Sequence, residues 1–399
     1  MGDVRTSLAN RRFTAYLLTA ALADIGYWIA YVAQGWLVLK LTNSPFWLGM
    51  VGAASNVPFL VFSLPGGALA DRFNRSALVA LASAAISLVA LVLAVLAQRG
   101  AITIGLLVAL TFLLGTLFAL SAPIDRAWMY DLVEGRGIGT ATALSSLEWS
   151  VARTLGPALG GVATATIGVA AGYAALGALA LPLMLLALTL ARIERTRHSP
   201  CISPGEPLAP KAADERRIVA MSLLVAAFTA SVIPYISFLP DIARNTLRLD
   251  ARGYGLLAAC GGIGSILGAM MISALGELEH KGRLVPMIVT GGAVLLALFT
   301  ILRAVPAVAL VLVLMGGIDT AAWTLSNTYV QECASDERRG RANAIMLLAF
   351  GGGIPIGNLV LGTIAGRYGS LVALQFSAGV ACAAAALFWF GARQARDAA

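Results

Sequence analysis

Asp24, Tyr27, Tyr31 and Gln34 stand three, four and three residues apart within an apolar run, which on a helix puts one acid, two phenols and a carboxamide on a single face. Asp319, Trp323, Ser326 and Asn327 make a similar face far along the chain. Glu148 and Arg153 interrupt another apolar run. Being five residues apart they do not stack on one helix face, so Arg153 is expected to meet an acid of the same half, with Asp24 or Glu148 nearest in depth. Carboxyls in such surroundings can alternate between holding a proton and holding a solute. Aromatic walls with a few polar groups suit a medium-sized amphipathic molecule. The competing reading makes the acids buried structural hydrogen-bonding groups and the aromatics ordinary bundle packing.

The elements that must position these residues are membrane spans. The 399 residues are 59% hydrophobic and 12% charged, with a mean hydropathy of +0.84, well above the roughly 45–50% apolar usage of soluble domains. Runs of about 20 apolar residues, enough to cross a hydrocarbon core, recur between short polar breaks and do not alternate as barrel strands would. The pattern predicts an all-α membrane protein with twelve transmembrane helices at 13–39, 47–70, 77–97, 102–127, 139–165, 168–190, 217–240, 253–275, 285–302, 306–330, 341–366 and 369–391. The first follows Arg11 and Arg12 as a signal peptide would, but it is too long and lacks a small-residue cleavage site, so it is expected to remain as a helix. Asp24 falls about 11 residues into it, roughly 16 Å at 1.5 Å per residue and so near the midplane. Asp319 falls at a similar depth in the tenth span. An ionisable group there costs about 2.5–3.5 kcal/mol on insertion scales, which makes both acids functional candidates.

With the N-terminus inside, 20 of the 28 Lys and Arg fall on cytoplasmic segments, 7 on the opposite face, and Arg153 within a span. Both termini are therefore expected in the cytoplasm and the chain in the cytoplasmic (inner) membrane. This bias accounts for the net charge of +8, and no basic patch on a soluble face points to nucleic acid. Cys201, Cys260, Cys333 and Cys382 show neither metal nor disulfide spacing, and no Walker A sequence occurs. No metal, cofactor or enzymatic activity is expected, and the chain is expected to be a monomer.

The polar stretch "ARIERTRHSPCISPGEPLAPKAADERR", 191–217, divides the chain into a first six-helix bundle at 1–191, a cytoplasmic linker at 192–216 and a second bundle at 217–399. The halves resemble each other. An offset of 201 pairs Gly115 with Gly316, Asp131 with Glu332, Gly139 with Gly340, Ala141 with Ala342, Gly156 with Gly357, Gly161 with Gly362 and Gly168 with Gly369; an offset of 206 pairs Gly49 with Gly255, Asp71 with Glu277 and Arg75 with Lys281.

Two six-helix halves in parallel repeat, joined by a long loop, resemble the major facilitator superfamily. "GALADRFNRSAL", 67–78, is similar to that superfamily's loop between helices 2 and 3, G-x-L-A-D-R-x-G-R-[RK], with Asn74 for the second glycine and Ser76 for the last basic residue. Asn tolerates a left-handed backbone nearly as well as Gly does, so the turn can survive that change. "LGPALGG", 155–161, resembles the antiporters' G-P-x-x-G-G, although Ala152 stands where an upstream glycine is usual. "FLPDIARNTLRLDARGYGLLAACGGIGSILGAM", 238–270, and "LSNTYVQECASDERRGRANAI", 325–345, resemble the branch that holds the enterobactin exporter and similar efflux carriers.

The resemblance implies two pseudo-symmetric bundles, a cavity lined by helices 1, 4, 7 and 10, and proton-coupled export of a small siderophore- or drug-like solute by alternating access. Uptake or facilitated diffusion is the first alternative, and a membrane sensor or assembly partner the second. It also implies a cytoplasmic gate of Gly67, Asp71, Arg72 and Arg75, repeated by Glu277 and Lys281, in which Asp71 faces the start of helix 11 near Gly340. The other reading of Arg72 and Arg75 is a positive-inside anchor. Gly156, Pro157, Gly160 and Gly161 are expected to allow close approach and bending of helix 5 against the other half, or simply small-residue packing.

Overall fold

The computed structural model describes residues 10–133, 137–193, 212–276, 280–334 and 339–391, and all of its regular structure is helical. In a bilayer no water satisfies an exposed N–H or C=O, so a span must close its own hydrogen bonds and a helix does so within one segment. The first five spans are α1 (Arg11–Thr42), α2 (Pro45–Arg72), α3 (Arg75–Gln98), α4 (Ile104–Leu132) and α5 (Ile138–Thr166). The sixth is split into α6 (Val169–Leu179) and α7 (Leu181–Ile193), the break falling just before Pro182, which offers no N–H to continue the ladder.

The seventh is also discontinuous. α8 (Ala212–Ser231) ends before Pro234, α9 (Tyr235–Asp241) follows, and Ile242–Thr246 form a π-helical turn closed by Leu247 N–H donating to the Ile242 carbonyl at 2.9 Å. The remaining spans are α10 (Ala251–Leu275), α11 (Lys281–Ile301), α12 (Val305–Cys333), α13 (Arg339–Tyr368) and α14 (Ser370–Gly391). Among the described residues eleven spans are long and apolar enough to cross a membrane. The one expected span outside that set is α5, whose 29 residues carry Ser145, Ser146, Glu148, Ser150, Arg153 and Thr154. Residues 194–211 of the expected linker, and Glu277 of the expected gate, lie outside the described residues.

The chain forms two compact units, one of Met1–Asn43, Val57–Cys201 and Leu249–Gly262, the other of Ser44–Asn56, Ile202–Arg248 and Ile263–Ala399. Each unit thus includes a short segment from the opposite half of the sequence. In the first, α1 packs along α5 and α6, and α3 along α4 and α6; in the second, α8 packs along α13 and α14, and α11 along α12 and α14. The same neighbours recur six spans later. Asn10 caps α1, accepting from the Arg12 and Phe13 N–H groups, while its amide donates to the Leu132 carbonyl at 2.7 Å and so ties the start of α1 to the end of α4. Many large apolar side chains stay exposed, Leu88, Leu223, Leu387 and Phe390 among them, as the outside of a bundle in hydrocarbon requires.

Candidate functional site

Within the first unit the sequence candidates converge. Tyr27 on α1 has its ring centroid 5.0 Å from Phe118 of α4, 5.5 Å from Trp28 and 6.1 Å from Trp149 of α5. Trp28 in turn meets Tyr31 at 5.5 Å and Trp149 at 5.7 Å. These five rings from three helices form one continuous aromatic wall. One turn below Tyr27, the carboxyls of Asp24 and Glu148 face each other within hydrogen-bonding range. Asp125 of α4 is close enough for the Asp24 charge to act on it, and its buried Oδ1 has no hydrogen-bond partner among the described residues. Farther along α1, Gln34 Oε1 accepts from the Thr111 hydroxyl of α4 at 3.2 Å.

Arg153 lies with its guanidinium 5.8 Å above the Trp28 ring, a cation–π arrangement. Asp24 and Glu148, the two acids nearest Arg153 in depth, face each other. Asp125 was not legible as a site residue: it sits at the end of an apolar run beside Arg126, where an acid reads as a loop neighbour. The signal that could have found it is depth, since α4 continues to Leu132 and places Asp125 two turns inside its end.

The second cluster belongs to the other unit and is less unified. Asp319 and Ser326 are buried, at 7% and 0% exposure, whereas Trp323 and Asn327 are half-buried. The Trp323 ring packs against Phe350 of α13 at 4.5 Å, and Asn327 Oδ1 accepts from Gln331 at 3.0 Å.

At the turn between α2 and α3 the structure revises the motif. Asn74 is extended, at φ −63° and ψ 116°, not left-handed; it is the N-cap of α3, accepting from the Ala77 N–H at 2.9 Å and from the Ser76 hydroxyl at 2.7 Å. Arg75 uses one guanidinium nitrogen on both oxygens of Asp131, at 2.8 and 2.9 Å, and Nε on the Ala70 carbonyl at 3.0 Å. Asp71, whose side chain is 56% exposed, stands 4.0 Å from Arg75, and Arg72 is exposed. In the second half Lys281 pairs with Glu332 at 2.8 Å. Both pairs join residues already related by the repeat, Arg75 to Lys281 and Asp131 to Glu332, and both tie the start of one span to the end of the next.

The glycines sort by what faces them. A Cβ at Gly67 would meet nothing within 4 Å, whereas one at Gly66 would meet the Leu120 carbonyl and, at 2.9 Å, Pro123 Cγ. The close-packed glycine here is therefore Gly66, just ahead of the motif, and not the motif's own Gly67. Gly156 and Gly160 back onto α1, against Trp28, Ile25 and Ile29, within their own half; the expectation that both face the opposite half is corrected. Gly161 does face a segment of that half, with a Cβ there falling 2.7 Å from the Ala251 carbonyl and 2.9 Å from Gly255 Cα of α10, while Pro157 lies within an unbroken α5. Near the far end of the seventh span, the buried Asp241 accepts from Ser370 at 2.6 Å and from Asn245 at 2.6 Å, fastening the π-helical turn to the start of α14. Among the described residues no group of His, Cys, Asp and Glu is placed to hold a metal, and Cys260, Cys333 and Cys382 form no disulfide.

The chain matches the transmembrane secretion effector family of major facilitator proteins over residues 5–398. It is 24% identical over 365 residues to the staphyloferrin A transporter of Staphylococcus aureus (strain NCTC 8325 / PS 47), covering 89% of this chain and 90% of that one. Among solved structures it is similar to the POT family transporter PepTSo, with a TM-score of 0.76 at 13% identity over 96% and 98% of the two chains. It is also similar to a bacterial homologue of the human lysosomal transporter Spinster, with a TM-score of 0.73 at 15% identity over 97% and 98%. A helical multi-pass chain that matches this family over almost its whole length is a transporter and no enzyme: it belongs to the transmembrane secretion effector family of major facilitator transporters.

Proposed function

We propose that this transporter exports a small amphipathic, siderophore- or drug-like solute by alternating access, in exchange for protons. In this reading it is a monomer in the cytoplasmic membrane with both termini inside, built as two pseudo-symmetric bundles at 1–191 and 217–399 with a linker at 192–216. The recurring helix neighbours and the two repeat-related ion pairs support that architecture. The relative named for staphyloferrin A favours the siderophore-like end of the solute range.

The observation that carries the proposal is the pair of facing carboxyls, Asp24 and Glu148, beside a wall of five aromatic rings. An ionised carboxylate only accepts hydrogen bonds, so two carboxyls bonded to each other hold one proton between them. A solute seated against the rings and donating to Asp24 takes the place of that proton. Counted from the inner helix ends at 1.5 Å per residue, Asp125, Glu148 and Asp24 lie about 10, 15 and 20 Å deep. The released proton therefore has acceptors along its way to the cytoplasm. Asp319 would be a second acid on the solute path, and Asp71, Arg75 and their repeat counterparts would set the cytoplasmic gate.

Inside-out vesicles test this. Staphyloferrin A or an amphipathic dye should accumulate when the lumen is acid and stop accumulating when a protonophore is added. Equilibration that ignores the pH gradient would favour the facilitator reading.

A further inference from the structure

Two close helix crossings in this chain are built alike. In one, a Cβ on Gly255 of α10 would meet the Pro157 carbonyl, Gly161 Cα at 2.6 Å and Gly161 N at 2.9 Å; in the other, a Cβ on Gly49 of α2 would meet the Asn358 carbonyl, Gly362 Cα at 2.6 Å and Gly362 N at 3.1 Å. The residues correspond through the repeat offsets, so Asn358 occupies the place of Pro157. Backbone approaches backbone at both, the arrangement that bare glycines allow.

The side chains differ. Asn358 is 0% exposed, and neither its Oδ1 nor its Nδ2 has a hydrogen-bond partner among the described residues. One turn from Gly49, it lies against Gly52, where a Cβ would stand 2.9 Å from the amide nitrogen and 2.8 Å from the Ser237 hydroxyl. A carboxamide offers two donors and an acceptor oxygen, and burying it unpaired is unfavourable. The matching crossing is made with a proline, so close packing does not demand an amide here.

We propose that Asn358 is a release element. Its unpaired amide weakens the seal between the segment 44–56 and α13, and water reaches the amide when that seal parts, so Asn358 raises the population of the parted state. The proposal rests on alternating access in that this crossing must open during the cycle, but its test needs neither solute nor proton gradient and so fails or succeeds separately from the coupling reading.

The test is amide hydrogen exchange of residues 44–56, read by mass spectrometry on the full chain in nanodiscs. Asn358→Leu and Asn358→Met, both apolar and of similar size, should slow exchange there by about tenfold, the value for removing roughly 1.4 kcal/mol of unpaired burial. Exchange in 251–262, at the proline-bearing crossing, should not change. Unchanged or faster exchange in 44–56 would overturn the proposal. So would loss of folding in both variants, which would show that the amide holds the crossing together.

Discussion

Gly66 and Gly67 are adjacent on α2, and the structure gives them opposite roles. An alanine methyl at Gly66 would fall 2.9 Å from Pro123 Cγ and 3.0 Å from Leu120 Cα, with the Leu120 carbonyl closer still. Ordinary contact begins at about 3.5 Å, so α2 and α4 must separate by roughly half an ångström or more. Two of the obstacles are backbone atoms and cannot rotate away. Overpacking of this kind costs about 1–3 kcal/mol. At Gly67 the same methyl meets nothing, and replacing a mid-helix glycine by alanine gains about 0.5–1 kcal/mol. Thermal unfolding of the purified protein in one detergent should therefore move in opposite directions, down for Gly66→Ala and up for Gly67→Ala, by about 2–4 °C per kcal/mol for a unit of this size. If Gly67→Ala is the more damaging of the two, the packing of α2 on α4 described here is wrong and the motif's glycine is needed for its own sake.

Asp131→Asn and Glu332→Gln each remove one partner of a half-exposed ion pair, worth up to about 1 kcal/mol and screened by salt; both should lower the melting temperature slightly at low ionic strength, and the difference should vanish in high salt. Asp71→Asn should leave stability unchanged, its charge being 56% exposed and 4.0 Å from Arg75, yet slow turnover in vesicles if it gates the cytoplasmic side; wild-type turnover would make it a solvated turn residue. Gly160→Leu should disturb the packing of α5 on α1 and lower stability, whereas Gly161→Leu, facing Ala251 and Gly255, should mainly raise exchange in 251–262; equal effects of both would contradict the separation of the two faces.

Spans were legible because length and apolarity decide them; the breaks within the sixth and seventh were not, and α5, the least apolar, is the helix that carries Glu148, Trp149 and Arg153. Neighbours along one helix were legible too: Tyr27 joins the aromatic wall, with Asp24 one turn away beside Glu148. Partners across helices were not. Spacing cannot show that Glu148 meets Asp24 while Arg153 covers Trp28, because that depends on the rotation of α5 about its axis. That rotation is fixed by Gly156 and Gly160 fitting against α1. The repeat carried more than it was asked for. Asp131 and Glu332 matched by offset, as did Arg75 and Lys281, yet that these two matches are the two ends of one ion pair, made twice, appears only when the helices are placed side by side. Asn74 was misjudged because a motif's glycine was taken to need a left-handed backbone; a side chain able to cap the next helix makes an extended turn the better solution.

The central claim is that Asp24 and Glu148 share the proton that is exchanged for solute. In inside-out vesicles loaded to equal protein content, staphyloferrin A transport would be followed in two modes for wild type, Asp24→Asn and Glu148→Gln: accumulation driven by an acid lumen, and exchange of labelled for unlabelled solute with no gradient. The account predicts that both variants keep exchange while gradient-driven accumulation falls by about tenfold or more, as loss of the shared proton uncouples transport. Accumulation at the wild-type level in Asp24→Asn would contradict it.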